Sequence, residues 1–192
     1  MTSSRTMWWT SDHHFGHANI IRYCARPFTS VDEMDESMVQ RWNTLVQPDD
    51  VVIVVGDFSF RDEARTTEIV SRLHGEKVLI RGNHDKRKTD TYWRRVGFRD
   101  VAPSMHVELE QIGRVWVKHE PEPYGSTWPV QLNGHVHEKW KTKAYQSTGQ
   151  VYINVGVDQW GFAPVSTQEL VTLAKEERSR INGPKKQSHV LP

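Results

Sequence analysis

Apolar residues along this chain fall into two rhythms. Met7-Trp8-Trp9-Thr10-Ser11, Val51-Val52-Ile53-Val54-Val55 and Lys77-Val78-Leu79-Ile80 are short β-prone runs. The run from Val51 lacks alternation, as expected of a strand covered on both faces. Between these runs the period becomes helical. Ala18 to Ala25 reads as a short helix that stops before Arg26-Pro27, because the residue before proline disfavours the helical region. A longer helix starts at Ser30 or Asp32, either of which can cap it, and lines Met34, Met38, Trp42 and Leu45 on one face. Arg61 to Leu73 forms a third helix, with Ile69, Val70 and Leu73 inward and Gly75 after its end. The order β, α, β, α, β predicts a largely parallel sheet. The second half alternates more: Val101 to Leu109 and Arg114 to Lys118 suggest antiparallel strands around Gly113. Val130 to Asn133 and Val151 to Val155 are further strand candidates, followed by a helix from Thr167 to about Arg180.

The polar residues that end the strand-like runs change the picture. Ser11-Asp12-His13-His14 follows the first, Gly56-Asp57 the second and Gly82-Asn83-His84-Asp85 the third. Lys118-His119 and Asn133-Gly134-His135-Val136-His137 end later ones. In open α/β sheets the carboxyl ends of strands are where ligands bind. Carboxylates, one amide and several imidazoles, with no thiolate among them, suit Mn²⁺, Fe, Zn²⁺ or Ni better than Ca²⁺. Asp12 with His14, and His135 with His137, are two residues apart, so on a regular strand each pair shares a face. Seven candidate ligands exceed one tetrahedral site, and two ions sharing a carboxylate account for them. Two divalent ions balanced by Asp12 and Asp57 leave a net positive site, which attracts an anion such as phosphate. A remaining imidazole can protonate a leaving group.

Composition narrows this little. With 192 residues the chain reads as one domain over residues 1–181 followed by a disordered tail, 182–192. A formal charge of +1 makes no case for binding nucleic acid or an anionic membrane by overall charge. The single cysteine, Cys24, excludes an intramolecular disulfide and fits a reducing compartment. Without an apolar signal region or a run long enough to span a bilayer, the expected location is the cytoplasm.

Taken together and in order, Asp12-His13-His14, Gly56-Asp57, Gly82-Asn83-His84-Asp85, His119 and Gly134-His135-Val136-His137 resemble the signature of the calcineurin-like metallophosphoesterase superfamily. Ser-Asp-x-His-Phe-Gly-His near the start looks like its small, cap-less bacterial and phage members. The resemblance implies an α/β fold, a four-layer α/β/β/α sandwich of two mixed sheets with flanking helices. It implies two divalent metal ions, Mn(II) foremost. One would take Asp12, His14, Asp57 and His137, the other Asp57, Asn83, His119 and His135, with Asp57 bridging. His84 would be the general acid, oriented by Asp85. The implied activity is hydrolysis of a phosphate ester, a diester before a monoester, through a metal-bridging hydroxide. A nuclease acting on DNA or RNA is the enzyme alternative, for which Lys139, Lys141 and Lys143 are the tightest basic cluster. A non-catalytic phosphate-binding scaffold is the alternative outside enzymology. His17 and Arg26 are candidate contacts to substrate phosphate, with structural roles as the alternative. Trp128, Trp140 and Trp160 are candidate cleft walls or core residues, and Asp158 has no assigned role.

Overall fold

The computed structural model describes residues 5–122 and 127–182. Two five-stranded sheets pack together with helices alongside. The first sheet has the order β10-β1-β2-β3-β4, with β1 (Met7–Thr10), β2 (Val51–Val54), β3 (Glu76–Ile80) and β4 (Asp100–Ala102) parallel and β10 (Val165–Ser166) antiparallel at one edge. The second has the order β5-β6-β7-β9-β8. In it β6 (Gly113–Val117), β7 (Val130–Asn133) and β9 (Gln150–Asn154) run parallel, flanked by antiparallel β5 (Met105–Leu109) and β8 (Thr142–Tyr145).

The β2 run explains the layering. Val52 and Val54 point into a core shared with the helices, Ile53 and Val55 into the core between the sheets. This period of two, apolar on both sides, is what a doubly covered strand requires. On the helical side lie α1 (Ala18–Tyr23), α2 (Val31–Leu45), α3 (Glu63–Arg72) and α4 (Asp90–Arg95). Met34, Met38 and Trp42 of α2, Ile69 and Val70 of α3 and Trp93 of α4 fill that core. Ser30 caps α2, its Oγ accepting from Glu33 N at 3.1 Å. Between the sheets, Trp9, Ile53, Val55 and Ile80 meet Val115, Val117, Leu132 and Ile153. Leu170, Val171 and Ala174 of α5 (Thr167–Asn182) close this second core.

One expectation needs correction. Val101 to Leu109 is not one strand. The chain breaks at Pro103-Ser104, leaving β4 on the edge of the first sheet and β5 on the edge of the second. Proline has no N–H to offer a ladder, so the crossing between sheets falls there. The tail expected to be disordered lies, from residue 183 on, outside the described residues. No helix among the described residues is long and apolar enough to cross a membrane.

Candidate metal centre

Register aligns the strand ends. Thr10 pairs with Val54 and Val54 with Leu79, so Asp12, Asp57 and Asn83 leave β1, β2 and β3 along one edge. In the second sheet Val117 pairs with Leu132 and Asn133 with Asn154, so His119, His135 and Asp158 follow β6, β7 and β9 along the matching edge. A parallel bridge between Ser11 and Gly156 ties the two edges together.

The backbone at this edge is not strand. Asp12 (φ 58°), His14 (φ 53°), Asp57 (φ 53°), His135 (φ 71°) and His137 (φ 48°) are five of the seven non-glycine residues with left-handed backbone among those described. Such conformations cost energy and persist where surrounding contacts over-determine them, commonly at functional sites. Here Asp12 N donates to Gly56 O at 3.0 Å, His14 N to Asp57 O at 3.1 Å and His135 N to both carboxylate oxygens of Asp12 at 3.1 and 3.0 Å. The pairs two residues apart therefore converge through alternate left-handed turns, not through the pleat of a strand. His13, between two of them, is turned into the core. Its ring stacks on Phe15 at 5.2 Å and meets the Phe58 ring edge-on, and burial, then the Arg26 charge, holds its pKa down at about 3.

Close approach fixes the glycines of two motifs. A Cβ at Gly82 would overlap Asp57 Oδ1, and one at Gly134 would overlap Ser11 Oγ and Asp12 Oδ2. Asp85 holds the same turns from below. Its carboxylate accepts from Asp57 N (2.6 Å), Phe58 N (3.1 Å) and Gly82 N (2.8 Å). Burial and the neighbouring Asp57 raise its pKa to about 6. Asp85 therefore fastens the backbone under the site, and the His84 ring is not among its partners, contrary to the expected orienting role.

The ligand atoms gather around the two buried carboxylates, Asp12 and Asp57. His14 Nε2 lies 3.9 Å from Asp12 Oδ1 and 3.7 Å from Asp57 Oδ2, and His137 Nε2 lies 3.8 Å from Asp12 Oδ1. On the other side His119 Nε2 is 3.4 Å from Asp57 Oδ2. Both His119 Nε2 and His135 Nδ1 are 3.1 Å from Asn83 Oδ1. Asp12, His14 and His137 form one cluster fit for a metal, and Asp12, Asp57 and His119 another. Second contacts set the imidazoles' faces. His119 Nδ1 is 2.8 Å from the Val55 carbonyl, to which it must donate, leaving Nε2 toward the carboxylates. His137 Nδ1 faces Asp158 Oδ2 at 3.3 Å, leaving its Nε2 toward Asp12.

These residues fit a divalent cation on three counts. Both ring nitrogens of His14 are buried without a hydrogen-bond partner among the described residues, an arrangement rare unless a ligand supplies one. The donors are carboxylate, amide and imidazole, a borderline-metal set. The field also calls for positive charge. Burial alone would lower the His119 pKa, yet its hydrogen bond to Asp57 and the charges of Asp12 and Asp57 raise it to about 9. Burial drives the Asp57 carboxyl up, but His119, His14 and the His84 N–H together hold it below the usual carboxylate range. Cys24 forms a third cluster with His137 and Asp158, but burial pushes its thiol pKa up to about 12, which disfavours the thiolate a metal needs.

His84 stands at the rim. Its N–H donates to Asp57 Oδ1 at 3.0 Å, its Nε2 lies 3.8 Å from Asp57 Oδ2, and its side chain is 32% exposed. His17 is also at the rim, its ring stacked on Phe60 at 4.5 Å and 5.7 Å from that of His14, with a buried Nδ1 that has no partner among the described residues.

Arg26 has a different place from the expected phosphate contact. Its side chain is fully buried, and its donors are engaged by both carboxylate oxygens of Asp158 (2.8 and 2.9 Å), by the carbonyls of Asp12 (2.7 Å) and His13 (2.9 Å) and by Met34 Sδ (3.5 Å). It braces the first loop and, through Asp158, the His137 ring. Asp158 was unassigned by sequence; its position just past a strand end, after Gly156, was the available signal. Lys141 and Lys143 lie over the Trp160 and Trp140 rings at 3.6 and 4.9 Å, and Trp128 stacks on Trp116 at 5.0 Å.

Comparison with known proteins finds relatives at several removes. An uncharacterized protein of Methanocaldococcus jannaschii is 45% identical over 86 residues, a stretch that spans 44% of this chain and only 49% of that relative. The gene 66 proteins of Mycobacterium phages D29 and L5 are each 26% identical, over 80% of this chain and 88% and 87% of theirs. The crystal structure of a protein of unknown function from Aquifex aeolicus superposes with a TM-score of 0.70 over 88% of this chain and 100% of that one. At 23% identity it shows the common fold. A family model described as calcineurin-like phosphoesterase matches residues 6–156, the stretch holding all the converging strand ends, and the chain belongs to that family.

Proposed function

We propose that this chain is a two-metal phosphodiesterase. The observation that carries the reading is Asp57, whose single Oδ2 lies within 3.7 Å of His14 Nε2 and 3.4 Å of His119 Nε2, between the two ligand groups. Asp12, His14, Asp57 and His137 would hold one divalent ion, and Asp57, Asn83, His119 and His135 the other. Manganese(II) is the first choice of metal, with iron, zinc and nickel compatible with the same donors. When bound, such a pair polarises the phosphoryl oxygens and makes water nucleophilic near neutral pH.

The chain's own residues do the rest. Water forms a bond to phosphorus and loses one proton to solvent. The opposite P–O bond breaks with its electron pair on the departing alcohol oxygen, and His84, half open at the rim, delivers a proton to that oxygen. Asp85 and Arg26 keep the two loops at the spacing this needs. The cleft is bordered by side chains of this one domain, without a covering cap among the described residues, which favours diesters over tightly enclosed monoesters.

The test is hydrolysis of bis-p-nitrophenyl phosphate by chelator-stripped protein, with and without Mn²⁺. Turnover that requires Mn²⁺ and disappears in Asn83→Ala is the expected result. Two bound metal ions without turnover would reject diesterase activity in favour of a narrow monoesterase or a phosphate-binding scaffold.

A further inference from the structure

A groove of about 350 Å³ opens beside His84, with Phe60, Arg61, Asp62, Arg87 and Lys88 among its lining. That volume lies in the lower range of small-ligand sites. It adjoins the metal centre directly. The Phe60 ring lies 4.9 Å from that of His84 and 5.4 Å from that of His14.

Two cations in this groove stand outside the ion pairs formed among the described residues. Arg61 is engaged by Asp35 (Nε to Oδ2, 3.0 Å) and by Asp32. Asp62 caps α3, its Oδ1 accepting from Arg65 N at 2.8 Å. Arg87 and Lys88 are exposed, and neither makes an ion pair among the described residues. Lys88 Nζ overlies the Tyr92 ring at 5.1 Å and feels the charge of Glu63, a carboxylate already paired with Arg95. His84 and Arg87 belong to one 3₁₀ turn, closed by Arg87 N donating to His84 O at 3.3 Å. Residues three apart in such a turn eclipse, so Arg87 projects on the same side as the His84 imidazole.

We propose that this groove seats the departing alcohol, and that Arg87 and Lys88 bind a second phosphate carried by that alcohol. The inference rests on the phosphodiesterase reading and narrows its substrate class to esters with a phosphorylated leaving group, such as a nucleotide unit bearing another phosphate. His84 faces both the metal ligands and the groove, so an alcohol seated here presents its ester oxygen to the residue that protonates it. An arginine beside a lysine suits a phosphate dianion, the first by its planar fork and the second as a point charge.

Calorimetric affinities of the Mn²⁺-loaded protein for thymidine 3′,5′-bisphosphate, thymidine 5′-phosphate and thymidine 3′-phosphate test this. The bisphosphate is expected to bind about tenfold tighter than either monophosphate, the effect of one or two charge-assisted contacts. In the double variant Arg87→Ala/Lys88→Ala that ratio should fall to within about twofold, and in the unaltered protein it should shrink as salt is raised. Equal affinities in the unaltered protein, or a ratio that survives the double variant, would overturn the assignment. Turnover of bis-p-nitrophenyl phosphate by the unaltered protein is read separately: its absence alongside an intact ratio sinks the hydrolytic reading and leaves the groove's anion preference standing.

Discussion

The two sheet edges that meet at the metal centre are built differently. The first sheet supplies both carboxylates and the amide, on loops pinned by backbone N–H and C=O contacts; Asp12 and Asp57 are 0% and 2% exposed. The second sheet supplies only imidazoles, and its side is the more open, with the His137 side chain 18% exposed and His135 exposed. Negative charge is thus installed at fully buried positions of the first edge, while the second edge joins a buried imidazole, His119, to the more open His135 and His137. A buried carboxylate without a cation is expensive, so the first edge needs a cation more than the second does. Substitutions on the first edge should disturb both ligand groups and the fold. Those on the second should disturb one group and leave the fold intact.

The strongest way to break this contrast is Asp57→Asn. Asp57 Oδ2 lies near both His14 Nε2 and His119 Nε2, so on the proposed two-metal reading both sites should lose affinity together. Activity should fall by more than about 100-fold, beyond what is typical for a residue that merely orients a ligand. Mn²⁺ titration of the stripped variant checks it; retention of two tight sites would show that Asp57 is not shared. Asp85→Ala should follow in size, acting on the fold. It leaves the buried N–H groups of Asp57, Phe58 and Gly82 without an acceptor, at a cost of about 3 kcal/mol or more. Urea unfolding of the metal-free protein reads this. An unchanged midpoint would mean the loops do not depend on that carboxylate.

On the second edge the sharper test is between two histidines. His119 is oriented by the Val55 backbone, which no substitution removes, whereas His137 is oriented by the Asp158 carboxylate. Asp158→Asn should therefore lower affinity at the group holding His137 by about 10–100-fold and spare the group holding His119. Equal loss at both would mean that the Arg26 contact to the Asp12 loop, which Asp158 also anchors, dominates instead.

These contrasts separate what was legible in the sequence from what was not. The convergence of Asp12, Asp57, Asn83, His119, His135 and His137 was legible because each follows a strand-like run, and parallel strands bring their carboxyl ends to one edge. The roles of Arg26, Asp85, Asp158 and His13 were not. Each is decided by burial among residues distant in sequence. Arg26 is paired 132 positions away with Asp158 and Asp85 reaches 28 positions back to Asp57. Nothing local marks an arginine before a proline as a core brace. The mechanism of convergence was also misread. Spacing by two suggested a strand face, while the structure uses left-handed turns, which Asp tolerates and hydrogen bonds enforce. The split of Val101–Leu109 had a local signal, Pro103, whose meaning depends on there being a second sheet to enter.

The smallest expected effect concerns His17, which lies beyond the ligands on the loop after β1 and tests where the metal centre stops. Its ring is stacked on Phe60 and holds, within reach of the rim, an Nδ1 that has no partner among the described residues. If it contacts substrate through a nitrogen, His17→Ala and His17→Phe should both raise KM by about 2–10-fold, the worth of one hydrogen bond, with kcat and Mn²⁺ affinity unchanged. If it serves only to support Phe60 and His14, the phenylalanine variant keeps the stack and should behave as the unaltered protein, while the alanine variant loses it. A drop in Mn²⁺ affinity in His17→Ala alone would extend the pinned first edge outward by one residue. A KM effect shared by both variants would instead place His17 among the substrate contacts at the rim.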